Sequence, residues 1–393
     1  MRSRRSLPAA AAVTALAAAA LVPAATATAT ATAPKRWHAV SDGPLSTREY
    51  ATSVWTGKDV LVFGGDRYPC APNAKCAAPT DPPLSDGAAY NPQTNKWRKI
   101  AKAPLPVPHA SAVAVGRYVY ALVEPDYNLQ TFAVQTQTFV RYDTVANRWA
   151  TLARPKSEFA NLTLAGIGGK VIAYQGAKNK AGDRDFVWDA AAKTWRLLPA
   201  DPKGPFEARV FVDVDGDAVV LGTKPGTPAA AGKPVPTIAS RHELGSAGWK
   251  HHAASKIAAD SPQWWGSDGL AVNATAGTSG AYTLGGTFDP SSGTWGTLPK
   301  RPSIPASDQP GVDFAWAQAG GGGTVVAGRF AFDTSTRTWR RVYALSGLRG
   351  YLQGPSVTWA GDRMFVWGGA MFPTGSAPGG LRDVGWTWSP TAS

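Results

Sequence analysis

Short apolar runs alternate with turn residues along most of the chain. Two apolar segments joined by a tight turn, such as 51–55 and 60–63, are followed by an aromatic residue and, seven positions later, by a tryptophan. This spacing recurs in the pairs Tyr90/Trp97, Tyr142/Trp149, Trp188/Trp195, Phe288/Trp295 and Phe332/Trp339, and His242/Trp249 keeps it with a histidine. Asp or Asn usually follows the aromatic residue and favours a tight turn. Each unit therefore predicts two β-hairpins, with the aromatic residue and the tryptophan as cross-strand neighbours.

Consecutive tryptophans of this set lie 44 to 54 residues apart, a period at which four-stranded units build β-propellers. The last unit ends at Ser389-Pro390 without its tryptophan, whereas Trp37 has the sequence setting of an outer strand that lacks the rest of its unit. We therefore predict an all-β fold, a seven-bladed β-propeller over residues 34–393 that is closed by an N-terminal outer strand. Six and eight blades are the alternative counts.

The repeat resembles the kelch family over the whole of residues 34–393. The matching motifs are the double glycines Gly64-Gly65 and Gly368-Gly369, the aromatic and tryptophan pairs, and the segment 108–113 (Pro-His-Ala-Ser-Ala-Val) that opens an inner strand. Blades 2 to 6 depart from the family because they lack the double glycine after their second strand. The resemblance implies the propeller fold and transfers no particular family member's function.

The first 33 residues are predicted to be a signal peptide. Three arginines precede an Ala/Leu/Val stretch to Val22, and small residues follow at the cleavage region. Export can proceed by the general secretory or the twin-arginine route. We expect a secreted protein, extracellular or in the cell wall, without a membrane span, and in that compartment Cys70 and Cys76 are expected to form a disulfide.

Charge and composition limit the classes of partner. The chain carries a formal charge of +13, of which Arg2, Arg4 and Arg5 belong to the signal peptide. Since no Lys/Arg-rich run remains, nucleic acid is not an expected partner. We expect a monomer that needs no cofactor and no metal.

Candidate binding residues lie where the inner strands begin, on the face that carries the long loops 66–85, 223–236 and 370–382. Blades 1 and 7 adjoin in the predicted ring, so the first and last of these loops should form one wall over the channel mouth. The tentative ligand-binding residues are Arg48, Glu49, Tyr50, His109, Glu158, Glu207, Arg209, Trp264, Asp313 and Tyr351. Carboxylates, amides and aromatic rings at such a mouth suit a sugar. The alternatives are ordinary solvated loop residues and, for Trp264 and Trp265, core packing, with at most one of the two exposed as a platform.

Two enzyme classes share this architecture. Galactose-oxidase-like copper enzymes look similar at the level of the repeat, but their site needs a tyrosine followed directly by a histidine, a pair that is absent here. The second class is the kelch-type sugar mutarotase, such as the bacterial family that acts on sialic acid. In such an enzyme, Glu49 or Glu207 could supply the acid or base, and Arg48 or Arg209 could hold the anionic group of the sugar. Asp213, Asp215 and Asp217 suggest either Ca²⁺ or an Asp-Gly hairpin turn, and the turn is the simpler interpretation.

The sequence thus favours a non-catalytic binding protein for a glycan or an extracellular protein partner, with no catalytic residue assigned. The alternative is a carbohydrate-active enzyme, either a sugar mutarotase, isomerase or lyase or, less favoured, an oxidase.

Overall fold

The computed structural model describes residues 37–71, 74–76, 81–124, 136–157, 161–176, 185–200, 207–223, 235–258, 263–304, 312–313, 316–343, 345, 350–373 and 379–391. Side chains are not described at 207–208 and 312–313. These residues form strands, turns and loops and no helix. Consequently none of their segments is a helix long and apolar enough to cross a membrane.

The strands are short, and their bounds follow in chain order. The first half contains β1 (Trp37–Ala39), β2 (Thr52–Trp55), β3 (Val60–Phe63), β4 (Gly87–Asn91), β5 (Lys96–Ile100), β6 (Ala110–Val115), β7 (Tyr118–Val123), β8 (Thr138–Asp143), β9 (Arg148–Thr151), β10 (Thr163–Ile167), β11 (Lys170–Tyr174), β12 (Phe186–Asp189), β13 (Thr194–Leu197), β14 (Glu207–Val214), β15 (Asp217–Thr223), β16 (Ile238–His242) and β17 (Lys250–His251). The second half contains β18 (Trp265–Ser267), β19 (Leu270–Asn273), β20 (Thr278–Ser279), β21 (Tyr282–Thr283), β22 (Gly286–Asp289), β23 (Thr294–Gly296), β24 (Val312–Asp313), β25 (Gln318–Gly321), β26 (Thr324–Ala327), β27 (Phe330–Asp333), β28 (Thr338–Arg341), β29 (Gly350–Gln353), β30 (Ser356–Ala360), β31 (Arg363–Trp367), β32 (Ala370–Phe372), β33 (Gly380–Leu381) and β34 (Gly385–Trp388).

Within the described ranges, seven four-stranded antiparallel sheets follow one another along the chain. In order they are β2–β5, β6–β9, β10–β13, β14–β17, then β18, β19, β22 and β23, then β25–β28, and finally β30, β31, β34 and β1. We number them as the first to the seventh sheet. The first strand of each sheet contacts the first strand of the next, and β30 of the seventh contacts β2 of the first. The described residues therefore form an all-β, propeller-like fold.

The predicted cross-strand neighbours are confirmed. Tyr90 pairs with Trp97 and Phe332 with Trp339 across their hairpins, and the other aromatic and tryptophan pairs have the same register. The His242 ring takes the aromatic position, 4.9 Å from the Trp249 ring between centroids. The Asp or Asn after the aromatic residue accepts backbone N–H groups two and three positions on, as Asp143 does from Val145 and Ala146. This Asx turn is why the hairpins reverse at that position.

The recurring tryptophans also link each sheet to the one before it. Every indole Nε1 donates to a backbone carbonyl at 2.7 to 2.8 Å just beyond the outer strand of the preceding sheet, in the bonds Trp97→Ser41, Trp149→Ala101, Trp195→Ala153, Trp249→Pro199, Trp295→Ala253, Trp339→Pro299 and Trp37→Tyr343. Two of these bonds join the seventh sheet to its neighbours on both sides. A buried indole N–H keeps a partner in this way while its ring packs.

The core lies between successive sheets rather than inside any one of them. Middle strands such as Val60–Phe63 are buried along their whole length because a neighbouring sheet covers each face. The cluster containing Val60 and Tyr90 also contains Phe365 and Trp367, which belong to the seventh sheet. The first and last repeats of the chain therefore share one hydrophobic core.

The first and last strands of the described residues meet in the seventh sheet. Strand β1 lies antiparallel to β34, with Trp37 opposite Trp388 and Ala39 opposite Trp386. The predicted pairing of Trp37 with the last repeat is therefore present. It covers the edge that β34 would otherwise expose to pairing with another chain.

Two additions were not predicted. A small hairpin, β20 with β21, is inserted between the second and third strands of the fifth sheet. Four short segments, β24, β29, β32 and β33, form a further sheet, which we call the linker sheet, in which β24 and β29 are parallel. Part of the predicted long loop 370–382 is therefore strand, because β32 pairs with β29.

Candidate functional site

Two predicted site residues, Tyr50 and His109, line one depression. It has a volume of about 240 Å³ and lies where the inner strands of the seventh, first and second sheets begin. Its other lining residues are Ala51, Thr52, Ser53, Ala110, Ala112, Pro355, Ser356 and Val357. We call it the Tyr50 depression. Residues some 300 positions apart in sequence meet in it because the seventh sheet packs beside the first.

Tyr50 presents its ring from an unusual backbone conformation. Its φ is 56°, which is strained for a residue with a bulky side chain, and its side chain is 42% exposed. The Tyr50 N–H donates to the Gly354 carbonyl at 2.7 Å. A Cβ on Gly354 would lie 3.0 Å from the Tyr50 ring, so the close approach favours glycine there. Gly354 therefore contacts the Tyr50 ring on one side, and part of the ring remains exposed to solvent.

The Tyr50 hydroxyl stays protonated. Burial raises its pKa to about 12, and electrostatic interactions with the acidic groups of Glu49, Tyr351 and Asp66 act in the same direction. A neutral phenol both donates and accepts hydrogen bonds. At neutral pH Tyr50 can therefore offer an aromatic face and a polar group together.

His109 lies on the other side of the depression. Its side chain is 59% exposed, and its Nδ1 lies 3.5 Å from a carboxylate oxygen of Glu124, which is also exposed. An imidazole and a carboxylate at this separation can both contact a ligand hydroxyl. The binding role of His109 stays a prediction.

Glu49 lies beneath the depression rather than in its wall. It is 1% exposed, and its carboxylate accepts a hydrogen bond from Gln353 Nε2 at 3.1 Å. The same nitrogen donates to the Cys70 carbonyl at 2.9 Å. The pKa of Glu49 is raised to about 7, mainly by burial. The nearby Asp66 charge adds to this rise, and the hydrogen bond from Gln353 opposes it. Glu49 therefore anchors the linker sheet and the disulfide loop to the first sheet.

The loops at 66–85 and 370–382 meet as predicted. Cys70 and Cys76 form the expected disulfide. Ala71, inside that loop, packs with Ala370 and Phe372 of the linker sheet. One rim of the described surface is thus built from the first and last repeats together, although residues 72–73, 77–80 and 374–378 lie outside the described ranges.

The structure corrects the expectation that Arg48 and Arg209 hold their charges toward a ligand. Arg48 is 0% exposed, and its Nη1 donates to Asp86 at 2.7 Å and to the Gly64 carbonyl at 3.1 Å. Burial alone would raise the pKa of Asp86, but the hydrogen bond and charge of Arg48 lower it. These bonds keep the Arg48 charge inside the fold.

Arg209, in β14 of the fourth sheet, makes similar bonds to residues of the third sheet. It is 4% exposed, makes a two-pronged ion pair with Asp185 and donates from Nε to the Gln175 carbonyl at 2.7 Å. Each of the two arginines therefore bridges the end of a second strand and the start of a third. A planar guanidinium suits this task because it serves carboxylate and carbonyl acceptors at once.

The tentative assignment of Trp264 as an exposed ligand-binding ring is also wrong. Trp264 is 5% exposed and packs in the core with Val212 and with Trp295, whose ring centroid lies 6.1 Å away. Trp265 is half-buried and packs in the next core cluster. Core packing, the alternative interpretation, holds for both residues.

The remaining predicted residues are only partly described. Tyr351 lies half-buried in the linker sheet, paired with Phe372 and adjacent in register to Asp313. Glu207 begins β14, but its side chain and that of Asp313 are not described. Glu158 lies outside the described residues.

The acidic cluster at 213–217 is a hairpin turn. Asp215 and Gly216 have φ of 53° and 89°, and Asp213 accepts the Gly216 N–H at 2.8 Å. The Asp-Gly interpretation is therefore confirmed. In the described part of the chain, no three His, Cys, Asp or Glu residues are grouped so that they could hold a metal ion.

Sequence reasoning missed the glycine that supports Tyr50. Gly354 and Pro355 directly precede an inner strand, and a Gly-Pro pair there signals a tight turn. That signal does not say which distant ring the turn supports. No known protein family's model matches the chain, and a search of curated protein sequences finds no significant match.

Proposed function

We propose that the chain is a secreted, non-catalytic propeller that binds a glycan in the Tyr50 depression. The observation that carries the proposal is the exposed Tyr50 ring, fixed at the rim beside His109 and the hydroxyl of Ser53. Sugar rings are bound by stacking on an aromatic face with hydrogen bonds from neighbouring polar groups. A volume of about 240 Å³ matches one or two sugar units rather than a long groove.

We also propose that the fold is a closed, seven-bladed propeller of the kelch type. Seven blades, kelch-type repeats and closure by β1 are supported by the seven successive sheets, the repeated tryptophan bonds and the contact between β30 and β2. Secretion is supported by the basic and apolar N-terminal segment and by the disulfide. In this arrangement the depression lies on the face that carries the long loops.

Binding is favoured over catalysis because three of the charged residues predicted at the channel mouth are engaged internally, which leaves His109, with Glu124 beside it, as the accessible imidazole and carboxylate at the depression. An acid or base needs to reach a substrate atom. The Glu49 carboxylate is enclosed with Gln353, and Arg48 and Arg209 hold internal carboxylates. A protein partner remains the competing ligand, and an enzyme acting on a sugar remains the competing function.

The Tyr50→Asn variant should lose at least about tenfold in affinity for the bound glycan, equivalent to about 1.4 kcal/mol. Asparagine tolerates the left-handed backbone conformation, so the change removes the ring without adding strain. The metal content of the purified mature protein is determined first. Its affinity for each of a panel of bacterial and plant polysaccharides is then measured and compared with that of the variant. Tyr343→Ala is the matched control, because Tyr343 is 39% exposed and does not line the depression.

Tyr50→Phe should retain most of the affinity if stacking dominates. Undiminished binding by Tyr50→Asn, or binding to none of the polysaccharides, would contradict the proposal. Stoichiometric copper, or conversion of a sugar by the purified protein, would favour the enzyme instead.

A further inference from the structure

A second pocket lies beside the fifth sheet, away from the Tyr50 depression. It has a volume of about 370 Å³ and is lined on one side by Thr278 and Thr283 of the inserted hairpin. Leu298, Lys300 and Arg301, which follow β23, and the Trp339 ring form the other side. We call it the Arg301 pocket. The inserted hairpin, which interrupts the repeat only in this sheet among those described, forms part of its wall.

Arg301 is held there without a carboxylate partner. Its guanidinium carbon lies 4.7 Å from the centroid of the Trp339 ring and 5.0 Å from that of Phe330. Its Nη2 donates to the Ala274 carbonyl, and its Nε is enclosed without an acceptor. No ion pair joins Arg301 to a carboxylate of the described residues. The two fully buried arginines of the described residues, Arg48 and Arg209, both hold an aspartate, whereas Arg301 is half-buried.

Within the described residues, the charge of Arg301 is therefore partly desolvated and has no carboxylate partner. Burial alone lowers its pKa to about 10, so the guanidinium remains protonated at neutral pH. A buried charge without a counter-ion is costly, and pairing it with an anion recovers much of that cost. Lys300, which is exposed next to it, adds a second positive charge, and the described lining contains no acidic residue.

We propose that the Arg301 pocket binds the anionic group of a small ligand, a carboxylate or a phosphate. Of the three guanidinium nitrogens, Nη1 is neither enclosed nor hydrogen-bonded within the described residues, which leaves it to donate to the anion. Arginine is suited to oxyanions because its donors match their geometry. Thr278 provides a hydroxyl group in the same lining, whereas the Thr283 hydroxyl already donates to the Gly285 carbonyl at 2.9 Å. This inference does not depend on glycan binding at Tyr50.

Titration calorimetry of the mature protein with glucuronate and with inorganic phosphate tests the proposal, and glucose serves as the uncharged counterpart of glucuronate. We expect one or both anions to bind and glucose not to bind at this pocket. Arg301→Met should weaken anion binding at least tenfold, and Arg301→Lys should retain part of it because the positive charge remains. Preference for one probe distinguishes a sugar acid from a phosphate compound.

Arg337→Met is the matched charge control, because Arg337 is an exposed arginine that bonds the Thr297 carbonyl and does not line the pocket. It should bind the anions as the parent does. Each variant is first checked for a cooperative unfolding transition, and Arg301→Lys tests the pocket if Arg301→Met fails to fold. Equal anion affinity in Arg301→Met and the parent, or no anion binding by the parent, would overturn the proposal.

Discussion

Asp185→Ala should lower the free energy of unfolding by about 3 to 5 kcal/mol, because it leaves the Arg209 guanidinium buried without its counter-ion. The two side chains are 5% and 2% exposed, so little water can replace the lost carboxylate. Arg209 also packs over Phe211 and Tyr174, with its guanidinium carbon 5.3 Å and 5.7 Å from their ring centroids. The side chain therefore cannot leave for solvent without disturbing the core. Chemical denaturation of the variant and the parent gives the measurement.

Replacing both partners by apolar residues separates pairing from packing. Arg209→Met combined with Asp185→Leu removes both charges and keeps most of the volume, so it should recover much of the stability lost in Asp185→Ala. Asp362→Ala is the control for an exposed ion pair, since Asp362 is 60% exposed beside Arg363, and it should change stability by less than about 1 kcal/mol. A loss at Asp185 no larger than that at Asp362 would show that the buried pair does not stabilise the fold.

Glu49→Gln should make the protein more stable than the parent at pH 8 and change it little at pH 4. Burial raises the pKa of Glu49 from 4.5 in the unfolded chain to about 7 in the fold. Between these values the folded state holds more protons, so the stability of the parent falls as pH rises from about 4.5 to about 7 and is level above that. Glutamine carries no ionisable proton and can still accept the Gln353 hydrogen bond. The relative gain at pH 8 should be on the order of 3 kcal/mol.

The difference between the two stability profiles isolates Glu49 from other titrating groups. The pKa of His252 is lowered by burial and by nearby positive charges, so its protonation destabilises the fold as pH falls, in both proteins alike. Hydrogen bonds from Ser291 and other groups hold the pKa of Asp289 at about 2. The stability that the Asp289 carboxylate contributes is therefore lost only below about pH 4. Glu124→Gln, at an exposed carboxylate near the same face, is the control. Parallel profiles for Glu49→Gln and the parent from pH 4 to pH 8 would contradict the assignment.

The repeat units could be predicted from sequence because each one is local. Tyr90 and Trp97 lie seven residues apart, and one Asx turn between them sets their register. The linker sheet could not be predicted in this way. Its strands have two to four residues each and come from separate segments around 312, 350, 370 and 380, so no apolar periodicity marks them. Its pairing depends on how the sixth and seventh sheets are placed.

The candidate site was predicted in part for the same reason. Tyr50 and His109 occupy equivalent positions before inner strands, and the repeat alone brings them to one face. Whether Arg48 and Arg209 are buried or exposed depends on their partners Asp86 and Asp185, which lie 38 and 24 residues away in sequence. The sequence shows that a charge is present but not whether an acceptor encloses it. Trp264 likewise lies next to an inner strand, and only the packing of the fourth sheet against it shows that it is core.

Pairing of the first and last strands is the claim on which the Tyr50 depression depends, and a designed disulfide tests it most directly. The Val40 N–H donates to the Gly385 carbonyl at 2.9 Å, so the next pair, Ala39 with Trp386, is a non-hydrogen-bonded pair of the antiparallel ladder. Cα atoms in such pairs lie about 4.5 Å apart, within the range that a disulfide spans.

The protein with Ala39→Cys and Trp386→Cys is oxidised and digested without reduction, and the masses of its peptides are measured. We predict that a 39–386 disulfide forms spontaneously beside Cys70–Cys76 and raises the unfolding temperature. Ala39→Cys with Thr387→Cys, in which the second cysteine points to the opposite face of β34, should leave both new thiols free. Free thiols at 39 and 386, or equal disulfide formation in the mismatched variant, would contradict the pairing of the chain ends and the ring built on it.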